Sequence, residues 1–361
     1  MTTRATRRNL AALTLATTAC AAGAGIRVIA SFPASDIDIP STGAVVTLPV
    51  SGLSELASGF GITGRWTGVV RDTGGGIAPW SLDYGVTVTA PGGVTRSSPS
   101  PWFGDVTIAD FPVADAFDGF GGGGGLDGVN PNGTWTIAHD SGNPSPWVAG
   151  LREVTYHLLA TSEPDVTFEY TENTQQGNAW NRPFFIEGVS GLGPVDYHLL
   201  AFTVDTSGLY SFESVLASGG DHWTCLYEGD FDDTQPLTNL HEYDLGNGFS
   251  PFDTPRGTSR FDQLLFEGTT YYWVTSQWSA FAAFSDFTNT ITGPGTVIIA
   301  GQGCNDADNA QPFGVLDLAD VQGFIGAFVG QQPAADIADP AGVWDLADVQ
   351  AFIGAFNAGC P

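Results

Sequence analysis

The 361-residue chain has no lysine. Its 11 basic residues are all arginine and stand against 39 aspartates and glutamates, for a formal net charge of −28. A surface this acidic repels nucleic acid phosphates and anionic lipid, which excludes both as main partners. Charged residues of either sign are scarce, at 14%, so there is little material for long solvated helices. The most apolar stretch near the start, residues 10–19, is too short to span a bilayer. Catalytic signatures are missing as well. No HExxH joins two of the five histidines, no GxSxG surrounds a serine, and the five glycines at 121–125 are not followed by GK[ST]. That run reads as a flexible connection and not as a phosphate loop.

Glycine (48) and proline (22) are plentiful, within a chain that is 42% hydrophobic. The mixture suits short strands joined by tight turns, and the length suits two or three domains. Strand-like runs stand at 44–50, 85–90, 133–138, 154–160, 199–204, 208–212, 270–275 and 295–300. Clusters of Gly, Pro, Asn, Asp and Ser separate them, the punctuation of β-sandwiches. Ahead of them, Arg4, Arg7 and Arg8 precede the apolar run 10–19, and the small residues Ala19-Cys20-Ala21 and Ala22-Gly23-Ala24 follow. This is the layout of a secretory signal over residues 1–24, so the protein is expected to be secreted or attached to the cell surface. Thr17 stands where a lipobox carries Leu, so Cys20 is expected to leave with the signal, unlipidated. Cys225 lies in an apolar stretch, 222–227, and reads as a buried, inert thiol.

Two resemblances divide the β region. Asn132-Gly133-Thr134-Trp135-Thr136-Ile137, then Asp140, Ser141 and Gly142, then the closing run 151–159, resemble the P (Homo B) domain of proprotein convertases over 36–161. The segment 84–93, ending Thr-Ala-Pro-Gly-Gly, fits the same family, while the stretch 64–76 lacks that family's His. Residues 164–300 resemble the bacterial pre-peptidase C-terminal family through 202–212, 223–231 and 268–274. Together they imply two jelly-roll-like β-sandwich domains, at 25–162 and 163–300, ahead of a third unit at 301–361.

That third unit is a repeat. Residues 313–328 read FGVLDLADVQGFIGAF and residues 341–356 read AGVWDLADVQAFIGAF, with 13 of 16 positions identical at a spacing of 28. In each copy an Asp pair three residues apart (Asp317 and Asp320; Asp345 and Asp348) precedes an apolar stripe: Val321, Phe324, Ile325 and Phe328, or Val349, Phe352, Ile353 and Phe356. The stripe spacing predicts a helix. The Asp spacing matches positions 9 and 12 of a calcium loop, with Gly314 and Gly342 for the sharp turn. Asp308 and Asp336, twelve residues before the last Asp of each copy, can open the loops, Asp339 is a further candidate, and carbonyls near Val315 and Val343 complete the shell. Helix capping is the plainer role for the Asp pairs. Three acids repeated at one spacing favour calcium.

The unit resembles a dockerin, a small all-α calcium-binding module that docks onto cohesins. The resemblance implies calcium as cofactor, a cohesin-like partner, and contacts through Leu318, Ala319, Leu346 and Ala347 at the start of each helix. The loops depart from the family where Ala, Gln and Pro replace acids. Cys304 and Cys360 bracket the module, and export permits a disulfide between them that stabilises a thin core by ~4 kcal/mol on the loop-entropy relation.

Elsewhere no catalytic constellation is legible, and the chain is read as non-enzymatic. His139, Asp140 and Ser141 are a triad in letters only, since neighbours on one turn point apart. Trp66, Trp80, Trp102, Trp147, Trp180 and Trp278 lie near Gly and Pro turns and could stack on sugar rings, although most tryptophans belong to cores. The reading is a secreted, non-catalytic protein anchored by its C-terminal module. Its alternatives are a carbohydrate-binding accessory of a polysaccharide-degrading complex and a non-catalytic part of a secreted peptidase system.

Overall fold

The computed structural model describes residues 24–71, 84–98, 110–118, 126, 128–140, 148–176, 178–184, 188–245, 255–299, 305–310, 316–331, 335–338, 340 and 342–359. Each of the eight expected runs overlaps a strand over its described residues, because alternating burial needs only a local period of two, although the run 295–300 meets one only at Val297–Ile299 and residue 300 lies outside the described residues. Ala44–Val50 has the expected bounds, and the run 154–160 lies inside the longer strand Val148–Pro164.

The chain is mainly β, and one nine-stranded antiparallel sheet runs through both β regions. Its path is Val166–Asn173, Asp286–Gly293, Gly208–Leu216, Ala24–Pro33, Val148–Pro164, Gly59–Arg71 and Asp110–Asp118. Thr258–Leu265 adds beside Gly208–Leu216, and Ile37–Ile39 beside Val148–Pro164. A four-stranded sheet (Ala44–Val50, Gly133–Asp140, Gly85–Thr89, Thr95–Ser98) packs on one half. There Phe60 of the large sheet meets Trp135 of the small one, ring centroids 5.8 Å apart. A six-stranded sheet carrying Val195–Val204, Tyr271–Gln277, His222–Glu228 and Leu240–Leu245 packs on the other half. There Trp273 meets Phe212 edge-on at 5.1 Å. Each fully buried side chain of this size contributes roughly 1.5–3 kcal/mol.

One sheet is continuous across the seam between the halves. Residues 162 and 163 fall inside Val148–Pro164, and the sheet continues past them. Ala24–Pro33 pairs along Val148–Pro164 on one side and, at Arg27 opposite Gly208, with Gly208–Leu216 on the other. The Val28 amide donates to the Ser207 carbonyl at 2.8 Å. Gly208 is required by close approach, since a Cβ there would run into the Ile26 carbonyl oxygen and the Pro294 ring. Ile26, Leu159 and Leu264 close the seam with buried apolar surface.

Two helices follow, α1 (Leu318–Val329) and α2 (Leu346–Ala358). No helix among the described residues is long and apolar enough to cross a membrane.

Candidate functional site

The repeat builds a two-fold-like pair of loop–helix units. Asp317 and Asp345 are the N-caps, both extended (φ −138° and −136°), and their carboxylates accept from the Ala319 and Ala347 amides at 2.6 and 2.7 Å. Each helix closes a capping box, because the Asp three residues on reaches back to the cap amide. Phe324 and Phe352, one from each helix, stack at 4.2 Å and 15°. Phe328 and Phe356 flank that stack, each 5.8 Å from the preceding ring, and Ala307 and Ala335 are fully buried beneath. Gly342 takes φ +85°, the left-handed turn expected there.

Asp320 and Asp348 do more than cap. Oδ2 of Asp320 accepts from the Asp317 amide at 2.9 Å, while Oδ1 accepts from the Asn309 and Ala310 amides, both at 2.9 Å. Oδ2 of Asp348 accepts from Asp345 at 2.9 Å, and Oδ1 from Ile337 and Ala338 at 3.0 and 2.9 Å. Both side chains are buried. The Asp345 and Ala338 amides, chiefly, hold the Asp348 carboxyl below the usual carboxylate range. Asp308 is buried as well, and Oδ2 of Asp336 accepts from the Gly342 amide at 2.6 Å.

Among the described residues no group of three or more His, Cys, Asp or Glu side chains is placed to hold a metal ion. The side chain of Val343 is exposed; Val315, Asp339, Cys304 and Cys360 lie outside the described residues. Calcium takes six to eight oxygens. The described donors do not fit that requirement, because five of the six described candidate carboxylates (Asp317, Asp320, Asp336, Asp345 and Asp348) already receive backbone N–H groups.

The helices leave a repeated apolar face open. Leu318 is 68% exposed and Leu346 67%, with Ile325 at 55% and Ile353 at 51% a further two turns along. Ile325 and Ile353 belong to the apolar stripe whose spacing predicts each helix. The core between two helices is too narrow to cover it, so only Phe324 and Phe352 are buried there. Ala319 and Ala347 are half-buried beside the leucines. The unit 301–361 holds eight aspartates and no basic residue.

In the sandwiches, the histidines serve the cores. His139 lies between the Tyr84 and Tyr156 hydroxyls at 2.6 and 2.9 Å, with Asp140 exposed beside it and Ser141 outside the described residues. His157 bonds Ser31 and Thr63, and His222 bonds Ser214. Trp66 is buried in a core and cannot act as a sugar platform, and Trp180 is buried at the wall of a cleft; Trp80, Trp102 and Trp147 lie outside the described residues. Trp278 stacks instead on Arg182, a buried cation between Trp278 (4.0 Å) and Trp223 (4.8 Å) that donates to the Trp278 and Pro183 carbonyls. Nothing local in the sequence signals that cluster, whose members lie far apart in the chain. A half-open cleft of about 370 Å³ lies nearby, bounded by Trp180, Asn181, Pro194, Asp233, Thr234 and Pro236.

No family model matches the chain and no curated protein matches it. Among solved structures, it is similar to the N-terminal CBM22-1–CBM22-2 tandem domain of Xyn10C from Paenibacillus barcinonensis, at 13% identity over 76% of this chain and 99% of that one, with a TM-score of 0.23. It is also similar to PNGase F, a glycosylasparaginase from Flavobacterium meningosepticum, at 8% identity over 74% and 96%, with a TM-score of 0.22. Superpositions this loose carry no inference about ligand or chemistry.

Proposed function

We propose that the chain is a secreted, non-catalytic protein that its C-terminal helix pair docks to a cohesin-like partner, with the β-sandwiches as the displayed part. The observation that carries this reading is the twice-presented exposed pair, Leu318/Ile325 and Leu346/Ile353, on a unit that has its own core. Exposed Asp317 and Asp345 rim the leucines, and no basic residue lies in the unit. The partner surface that fits is an apolar patch flanked by arginine or lysine. Full-length protein and a Leu318→Asp/Leu346→Asp variant are passed over the extracellular envelope fraction of the producing cells. At least ~10-fold weaker retention of the variant is expected, as for loss of central apolar contacts. Equal retention sinks the reading.

A second reading, recognition of a sugar, is favoured by the cleft alone. It combines the Asn181 amide, the Thr234 hydroxyl and the Asp233 carboxylate, which accepts from the Tyr197 hydroxyl at 3.0 Å. Polar groups of these kinds on a firm wall suit sugar hydroxyls. Binding of the full chain to a glycan array, abolished by Asp233→Ala, would support this second role; an array without signal removes it.

A further inference from the structure

We infer that the two loop–helix units are closed by their own aspartates in place of calcium, so that the module keeps its shape without a metal ion. The inference deepens the docking reading at one point only: if docking occurs through this module, chelation leaves it intact.

The argument starts from polarity. A calcium loop turns oxygens inward, and its last carboxylate is given to the ion. Here the start of each loop turns amide N–H groups inward: Asn309 and Ala310 in the first, Ile337 and Ala338 in the second. The centre on which they converge is an anion, the carboxylate of Asp320 or Asp348. With the cap amide added, each carboxylate takes three N–H donors out of about four acceptor positions. A cation approaching those oxygens meets three N–H dipoles oriented against it. The arrangement is a backbone nest filled by the chain's own carboxylate.

The replacement is itself duplicated. Two and four residues after Asp308 stand Ala310 and Pro312, and at the same distances after Asp336 stand Ala338 and Pro340. Where a calcium loop has side-chain oxygens, both copies have none. Among the described residues a few buried side-chain oxygens remain without a donor, Oδ1 of Asn309 beside buried Asp308 in the first loop and Oδ1 of Asp336 in the second, far short of six in either loop.

The test follows the clamped amides in the full chain without any partner, so that its outcome is independent of docking. Amide hydrogen exchange of segments 305–310 and 335–338 is measured in millimolar CaCl₂ and in EDTA, beside equilibrium dialysis with radioactive calcium. The expected result is the same protection in both media and no calcium bound at the module at millimolar concentration. In Asp320→Asn the first segment, and in Asp348→Asn the second, is expected to exchange at least ~10-fold faster in either medium, as local opening becomes easier. Protection that appears only with calcium, or calcium uptake lost in Asp320→Asn/Asp348→Asn, overturns the inference. Should a variant unfold the whole module, the wild-type comparison of CaCl₂ with EDTA still decides.

Discussion

The sandwiches and the helix pair reach a defined structure by different means. In the sandwiches, facing sheets bury rings on rings, and polar side chains such as His139 and Asn289 are accommodated inside by hydroxyl partners. The helix pair has a core of two stacked rings and two alanines with a part-buried fringe, and two carboxylates tie the loops to the helix starts. A large core tolerates isolated polar networks because burial carries the stability. A small one depends on satisfying its backbone locally.

The strongest way to break the comparison is to hollow the larger core. Trp273 is fully buried against Phe212, Phe261 and Tyr170, so Trp273→Ala is expected to cost ~3–5 kcal/mol in denaturant unfolding of the full chain. Because the nine-stranded sheet is continuous, strands of the other half, such as Gly59–Arg71, should lose exchange protection with it. The helix pair should not respond. A loss below ~1 kcal/mol, outside the range for deleting a buried tryptophan, would show that this core is not the main support.

How much of this was legible depends on where the partners sit in the chain. Strands such as Ala44–Val50 and both helices could be placed from local period, turn residues and the repeated Asp caps. Ala24–Pro33 could not, since its place at the centre of the large sheet depends on strands more than a hundred residues away. His222–Glu228 is buried on both faces and therefore shows no alternation. Leu318 and Leu346, which the resemblance implies as partner contacts, are exposed. The use of Asp320 and Asp348 as clamps was hidden because their upstream partners are backbone amides, which carry no letter in the sequence.

Thiol chemistry sharpens the comparison at intermediate size. The Asn305 side chain donates to the Ala355 and Gly359 carbonyls, both at 3.0 Å, so the neighbours of Cys304 and Cys360 are tied together. Peptide mapping without reductant is expected to recover these two cysteines linked, and Cys304→Ser should lower the stability of the helix pair by ~2–4 kcal/mol. Recovery of both as free thiols in exported protein counts against the link. Cys225 offers the contrast: burial pushes its thiol up to about 12, so in native protein it should resist an alkylating reagent at pH 8.

Counted for one histidine and one pH unit, the smallest effect is in the pH response, where the two regions should part. His139, His157, His198 and His222 are held down to about 4 by burial. In the unfolded chain such groups take up protons near 6.5, while in the fold they stay neutral until about 4. The folded state is therefore disfavoured progressively as pH falls through that window, and the loss levels off below it. The slope is roughly 1.4 kcal/mol per pH unit for each histidine that titrates only when unfolded. The unit 301–361 contains no histidine. Its Asp348 is shifted the other way, below the usual carboxylate range, so the contribution of that group persists until pH falls past the ordinary carboxylate value and on through the lowered one. Exchange measured from pH 6.5 to 4, corrected for intrinsic rates, should show the sandwich amides opening while those of Ile337 and Ala338 keep their protection. If the two sets open together, the helix pair draws its stability from the sandwiches, and the local clamps do not hold it alone.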